Sequence, residues 1–261
     1  MNQPGPGQAW ADHDAATSLS PVRARHRRLA ISLTACGGVC CLVVAVLAGR
    51  AAIAQQTRPP TAAERAAAAA VAVARRWRTW PAGRIFPAIL GYTTSLLNND
   101  TARRVGISPD DTCAAALDPA LAGPARRDGC RAGLRASYVD ELQGVVYTTG
   151  VLAFPSPAKA QAFDRGLPSG RPPAEGLRAL AFPGTAAARF ADDARQLAIA
   201  RQEGPYVLLT VAGYADGRPA AASSQYNPAA FRPAGQLANA ILAPLNRPAV
   251  VDCAATRQWS C

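Results

Sequence analysis

Histidine is nearly missing from this chain. Only His13 and His26 occur among 261 residues, and both precede the longest apolar run. The sequence after that run has no imidazole, which excludes Ser-His-Asp and Cys-His catalysis there. It also excludes nearly every catalytic zinc site, because those sites lean on histidine. Lysine is scarcer still, with Lys159 the only one. Ser156-Pro157-Ala158-Lys159 fits the S-x-x-K nucleophile pattern of penicillin-interacting enzymes. Those enzymes also need a K-T-G element, for which there is no second lysine, and an S-D-N element, which is absent. The simpler reading makes Ser156 a helix N-cap with proline at the first helical position. The glycines form neither a P-loop nor a dinucleotide fingerprint. Aromatics are 6% and the basic residues are dispersed, so nucleic acid is not an expected partner. No catalytic, cofactor-binding or metal-binding residue is expected from these patterns.

The most informative stretch is Leu29 to Gly49, 21 residues without a charge. About 20 such residues span a bilayer as a helix, the one state in which an isolated segment satisfies its backbone in hydrocarbon. Four arginines and His26 crowd positions 23–28, while Arg50 and Arg58 are the only charges soon after it. The positive-inside rule then puts residues 1–28 in the cytoplasm and the rest outside. Leu33-Thr34-Ala35-Cys36 also reads as a lipoprotein box, but only seven apolar residues precede Cys36 and the apolar run continues past it. Small residues at Ala51 to Ala54 leave open a cleaved signal peptide and a secreted domain. The long leader and long apolar run favour an uncleaved anchor. Cys36, Cys40 and Cys41 lie inside this segment, where a small apolar role suits them better than metal binding.

Formal net charge is +11, and beyond position 54 there are 23 basic against 15 acidic residues. A basic surface favours anionic partners such as headgroups or wall polymers. Residues 1–28 have no apolar period and read as a disordered tail. The linker and stalk cover 50–82: Thr61 and Glu64 match a capping box, and the alanines after them favour helix. Arg75, Arg76, Arg78, Trp77 and Trp80 close that helix, either against headgroups or against the domain.

The outer domain is expected over 83–261. Four cysteines lie in it, Cys113, Cys130, Cys253 and Cys261. An even number beyond a membrane anchor reads as disulfides. Cys113–Cys130 and Cys253–Cys261 are favoured among three pairings because each closes a local loop. Gly83 to Thr94, Gly133 to Phe154 (most strongly Val145 to Phe154), Gly176 to Thr185 and Pro205 to Gly217 carry strand signals. Short helices are expected between Asp111 and Cys130, then helices over Ser156–Leu167, Ala186–Gly204 and Asn227–Leu245. The expected fold is α+β: one mixed or antiparallel sheet of about four strands, with helices packed on one face. Three acid pairs, Asp110-Asp111, Asp140-Glu141 and Asp192-Asp193, offer the carboxylates that glycan hydrolysis needs. Adjacent residues do not supply the required separation by themselves, so caps and exposed ion pairs are the preferred roles.

The Arg-rich lead into the span, "RRWRTWPAGRIFPAILGYTT" and "GPYVLLTVAGYADGRP" resemble single-pass membrane proteins common in actinobacteria. "GVLAFPSPAKAQAF", followed by "YVLLTVAGYADG", is similar to the extracellular sensor domains of mycobacterial-type receptor Ser/Thr kinases. That similarity covers roughly residues 145–245 and implies an α+β sensor domain with two disulfides. It carries over no catalytic residue, and 28 residues before the span leave no room for a kinase domain. The sequence expectation is therefore a membrane-anchored, non-catalytic binding or sensing domain of the cell envelope. The alternatives are a carboxylate-dependent enzyme acting on wall glycan and a secreted soluble domain.

Overall fold

A computed structural model of the chain describes residues 38–54, 59–94, 96, 98–168, 175–220 and 228–250. Two compact units divide the chain, Thr61–Val251 and a second made of Met1–Pro60 with Asp252–Cys261. In the second unit, residues 38–54 are helical (α1). Their large apolar side chains, among them Leu42, Val44 and Leu47, are exposed, as are the free thiols Cys40 and Cys41. Among the described residues no helix is long and apolar enough to cross a membrane. The expected span starts at Leu29, so its first nine positions, with Cys36, lie outside the described residues. So do the expected disordered tail 1–28, the signal-cleavage region from Gln55 and the Cys253–Cys261 pair.

The first unit holds a six-stranded antiparallel sheet in the order β1-β2-β3-β4-β6-β5. Its strands are β1 (Ile89–Thr93), β2 (Asn99–Ile107), β3 (Ala132–Asp140), β4 (Val145–Ala153), β5 (Leu197–Glu203) and β6 (Tyr206–Tyr214). The helices are α2 (Ala62–Ala74), α3 (Arg76–Thr79), α4 (Ala82–Ile85), α5 (Cys113–Ala116), α6 (Pro119–Arg127), α7 (Pro157–Arg165) and α8 (Pro233–Asn246). The α+β class and antiparallel pairing match expectation, whereas the expected four strands become six.

The expected single helical face becomes two. Side chains alternate across a strand, and both sets are apolar in the central strands. Tyr147, Val151, Tyr206, Leu208 and Ala212 face one core, closed by Leu237, Ile241 and Leu245 of α8. Val146, Leu152, Val207, Leu209 and Val211 face a second core, closed by Leu121 of α6, Phe163 of α7 and the segment through Leu177 and Phe190. A strand buried on both faces reads as a near-continuous apolar run, and β6 shows one broken only by Thr210 and Gly213.

Two expected elements change identity. The helix expected over Ala186–Gly204 is a 3-10 turn at Asp192–Ala194 followed by β5. Its Ala, Arg, Gln and Glu favour helix, but pairing of all seven β5 residues with β6 overrides that weak preference. Gly204, at φ 55°, makes the tight turn between the two strands. The expected strand over Gly176–Thr185 is irregular, with one isolated bridge, Leu117 to Leu177. It acts as a plug: Leu177 lies against β4 at Gly150, where a Cβ would collide with the leucine side chain.

Local expectations held where the signal was local. Cys113 and Cys130 are bridged, closing a 17-residue separation that the chain-entropy relation values at about 3 kcal/mol. Ser156 caps α7 by accepting from the Lys159 amide at 3.4 Å, and the Lys159 ammonium sits 3.6 Å from Asp128.

Candidate functional site

The helix α2 builds one wall of the candidate site. Thr61 and Glu64 form the capping box, with the Glu64 amide donating to the Thr61 hydroxyl at 3.2 Å and the Thr61 amide donating to the Glu64 carboxylate at 2.8 Å. Beyond that turn, Ala66 to Ala74 are all alanine or valine, so every side of the helix is apolar. Such a helix normally lies buried in a core or a membrane, yet none of its residues is fully buried.

The helix is fixed to the domain at its C-terminal end. Arg76 is buried, 8% exposed, and its Nη1 donates to the carbonyls of Pro244 at 3.2 Å, Leu245 at 2.8 Å and Arg247 at 2.5 Å. Those carbonyls end α8, where the helix leaves acceptors unpaired and the dipole favours a cation. The Tyr206 hydroxyl donates to the Val73 carbonyl at 2.7 Å and accepts from the Trp77 amide at 3.3 Å. Trp77 and Trp80 are half-buried against the α8 core. The basic aromatic segment therefore packs on the domain, the second of its two expected roles.

Between α2 and one end of the sheet lies a groove of 540 Å³. Its far wall comes from the β4–α7 corner (Pro155, Pro157), the β5–β6 turn (Glu203, Gly204, Pro205) and the end of α8 (Asn246, Pro248). Four prolines in that wall offer no N–H donor. Polar groups are few. Glu203 is exposed. Asn246 donates through Nδ2 to the Leu242 carbonyl at 3.2 Å, while its Oδ1 lies buried against Gly204 without a partner among the described residues. The volume is within the range of small-molecule sites, and the lining is mostly apolar with few polar groups, as such sites are.

Several arginines gather near the C-terminal end of α8. Arg247 stands between the lining residues Asn246 and Pro248 and is exposed. Arg84, also exposed, stacks on Trp80 at 3.8 Å, and Arg76 stacks on the same ring at 4.8 Å. Burial lowers the Arg76 pKa; Tyr206 opposes that shift, and the charges of Arg84 and Arg247 add to it. Among the described residues, Arg76, Arg84 and Arg247 form no ion pair with a carboxylate.

The acid pairs occupy three separate places. Asp110 accepts from the Thr112 amide at 2.9 Å, so the cap of α5 is Thr112 itself. Asp192 accepts from the Ala179 amide at 2.7 Å and contacts Arg178, tying down the Leu177 plug. The exposed ion pairing expected of the Asp192-Asp193 pair does not include the nearby Arg195, which is buried. Arg195 is 5% exposed and meets Asp118 at 2.7 Å, while Asp118 also accepts from the Gly176 amide at 2.8 Å. Asp140 accepts from the Val145 amide at 2.8 Å within the β3–β4 turn.

One carboxyl pair does form across the fold. The neighbouring Asp100 carboxyl raises the Glu141 pKa, and the Tyr92 hydroxyl donates to Asp100 at 3.0 Å. Sequence reasoning missed this pair because 41 positions separate its members; it also missed the groove. The nine-residue Ala/Val run was the one available signal for the groove, since such a helix demands an apolar neighbour. Compared with family models, with curated proteins and with solved structures, the chain finds no match.

Proposed function

We propose that this is a single-pass cell-envelope protein, anchored by Leu29 to Gly49, whose outer domain binds or senses an apolar ligand in the α2 groove without catalysing a reaction. The observation that carries the reading is the 540 Å³ groove with its alanine, valine and proline lining. A membrane anchor before the domain, an apolar groove within it and a basic surface suit a ligand drawn from the envelope.

Photolabelling tests this reading. The full chain is placed in nanodiscs of zwitterionic lipid with a diazirine-bearing long-chain alcohol, a neutral probe. Labelled peptides are expected to include residues 66–74, and Ala70→Trp, which fills the groove, is expected to remove that label. Label confined to residues 29–54, or unchanged in the Ala70→Trp chain, contradicts the proposal.

A further inference from the structure

We propose that β1 is a self-association edge, at which Ile89 and Gly91 pair antiparallel with Gly91 and Ile89 of a second copy of this chain. β1 forms one of the two edges of the sheet. In an antiparallel ladder the N–H and C=O of one residue point the same way, and that direction alternates along the strand. The Arg104 amide donates to the Ala88 carbonyl at 2.9 Å, so Ala88 turns towards β2. Thr93 turns away from β2: its amide donates to the Gln236 side-chain oxygen at 2.8 Å, and its carbonyl accepts from the Gln236 Nε2 at 2.7 Å. Ile89 and Gly91 therefore turn outward as well. Among the described residues, no backbone hydrogen bond reaches them from beyond the sheet.

Edge strands are ordinarily guarded by charge, proline or a bulge. β1 reads Ile-Leu-Gly-Tyr-Thr, without charge or proline, and its pairing with β2 runs without a shift. The opposite edge, β5, carries Arg201 and Glu203. Gly91 is a second sign. A glycine inside a strand weakens it and often marks the close approach of another backbone. The fold of one copy gives no reason for this glycine, since a Cβ there would meet nothing within 4 Å and its φ is not left-handed.

The extent of the free edge selects the occupant. Two free residues with one between them complement themselves. About a two-fold axis at Leu90, Ile89 of each copy faces Gly91 of the other, and each such pair exchanges two N–H···O bonds. The next pair would set Thr93 against Pro87, which has no N–H and whose carbonyl already accepts from the Tyr138 hydroxyl at 3.0 Å. Gln236 satisfies the Thr93 groups that such a partner cannot. β1 begins at Ile89, so the second chain leaves the ladder before it reaches Gln236. A long extended segment of another protein would find Thr93 occupied, whereas a second β1 needs nothing from it. Ile89, 51% exposed, then lies beside the bare surface of Gly91 in the other copy.

The test uses the full chain in detergent micelles, with donor- and acceptor-labelled samples whose energy transfer is followed against concentration. Transfer is expected to rise with concentration and to be reversed by unlabelled chain. Gly91→Pro deletes an N–H that faces away from β2, a place where an edge strand tolerates proline. Ile89→Lys sets a charge on the edge. Each is expected to raise the dissociation constant by roughly tenfold or more, as the loss of one or two hydrogen bonds would, with the melting temperature of the parent retained. In a mixture of Ile89→Cys and Gly91→Cys chains, disulfides linking position 89 to position 91 are expected to exceed links between like positions. A parent that stays monomeric overturns the proposal. Energy transfer that neither variant weakens overturns it too, and so do cross-links without preference for the 89–91 pair. Should Gly91→Pro melt early, Ile89→Lys decides, because the side chain it replaces is exposed.

Discussion

Arg76 does at the scale of one side chain what a whole interface does elsewhere. It gives three terminal carbonyls of α8 a charged donor and thereby fixes where α2 ends. Hydrogen bonds to charged groups contribute about 1.5–3 kcal/mol each when a buried partner would otherwise go unsatisfied. Arg76→Ala is expected to lower unfolding free energy by about 2–3 kcal/mol, read from the urea midpoint at constant slope. Arg76→Lys is expected to recover less than half, since a single ammonium cannot reproduce the fork. A midpoint within experimental error of the parent would refute the latch. Little of this was legible beforehand. "RRWRTW" announces charge and aromatic rings, but which arginine turns inward depends on a helix end some 170 positions away. The Asp118–Arg195 pair is hidden in the same way. The Ser156 cap and the Cys113–Cys130 bridge were legible because the partners are near in sequence and the chemistry of each is local.

Among the elements, the central strands and α8 carried strong patterns and formed where expected. β6 is apolar at most positions, with Thr210 the polar interruption, and α8 buries Leu237, Ile241 and Leu245 on one stripe. β5 was misread because an edge strand takes its conformation from its neighbour and not from its own composition. The irregular segment through Leu177 was misread because its leucines and phenylalanine suit a strand but serve as plugs. Gly150 is the counterpart of that plug: it is glycine because Leu177 occupies the space of a side chain. Gly150→Ala and Leu177→Ala are each expected to destabilise, the second by about 2–5 kcal/mol as a cavity forms. The double variant should lose clearly less than the sum, because the added methyl enters the vacated space. Strict additivity in denaturant titrations would show that the two residues do not share a site.

Over the whole molecule, burial of tyrosine sets the alkaline limit of the fold. Tyr92, Tyr138, Tyr147 and Tyr206 all have pKa values raised, in each case chiefly by desolvation. The folded state resists their ionisation, so their contribution is complete below the ordinary tyrosine pKa of about 10. It is lost as pH climbs from there towards the raised folded values. Melting temperature is therefore expected to hold steady between pH 8 and 9.5 and to fall progressively above about pH 10. A flat profile up to pH 11.5 would contradict this burial.

At the same scale stands the central proposal, that the α2 groove holds an apolar ligand. Native mass spectrometry of the full chain, released from its own membrane into nanodiscs and then ejected intact, tests it most directly. A mass increment equal to one apolar ligand is expected on the parent chain and none on the Ala70→Trp chain. Bare masses for both chains, or the same increment on both, would contradict it.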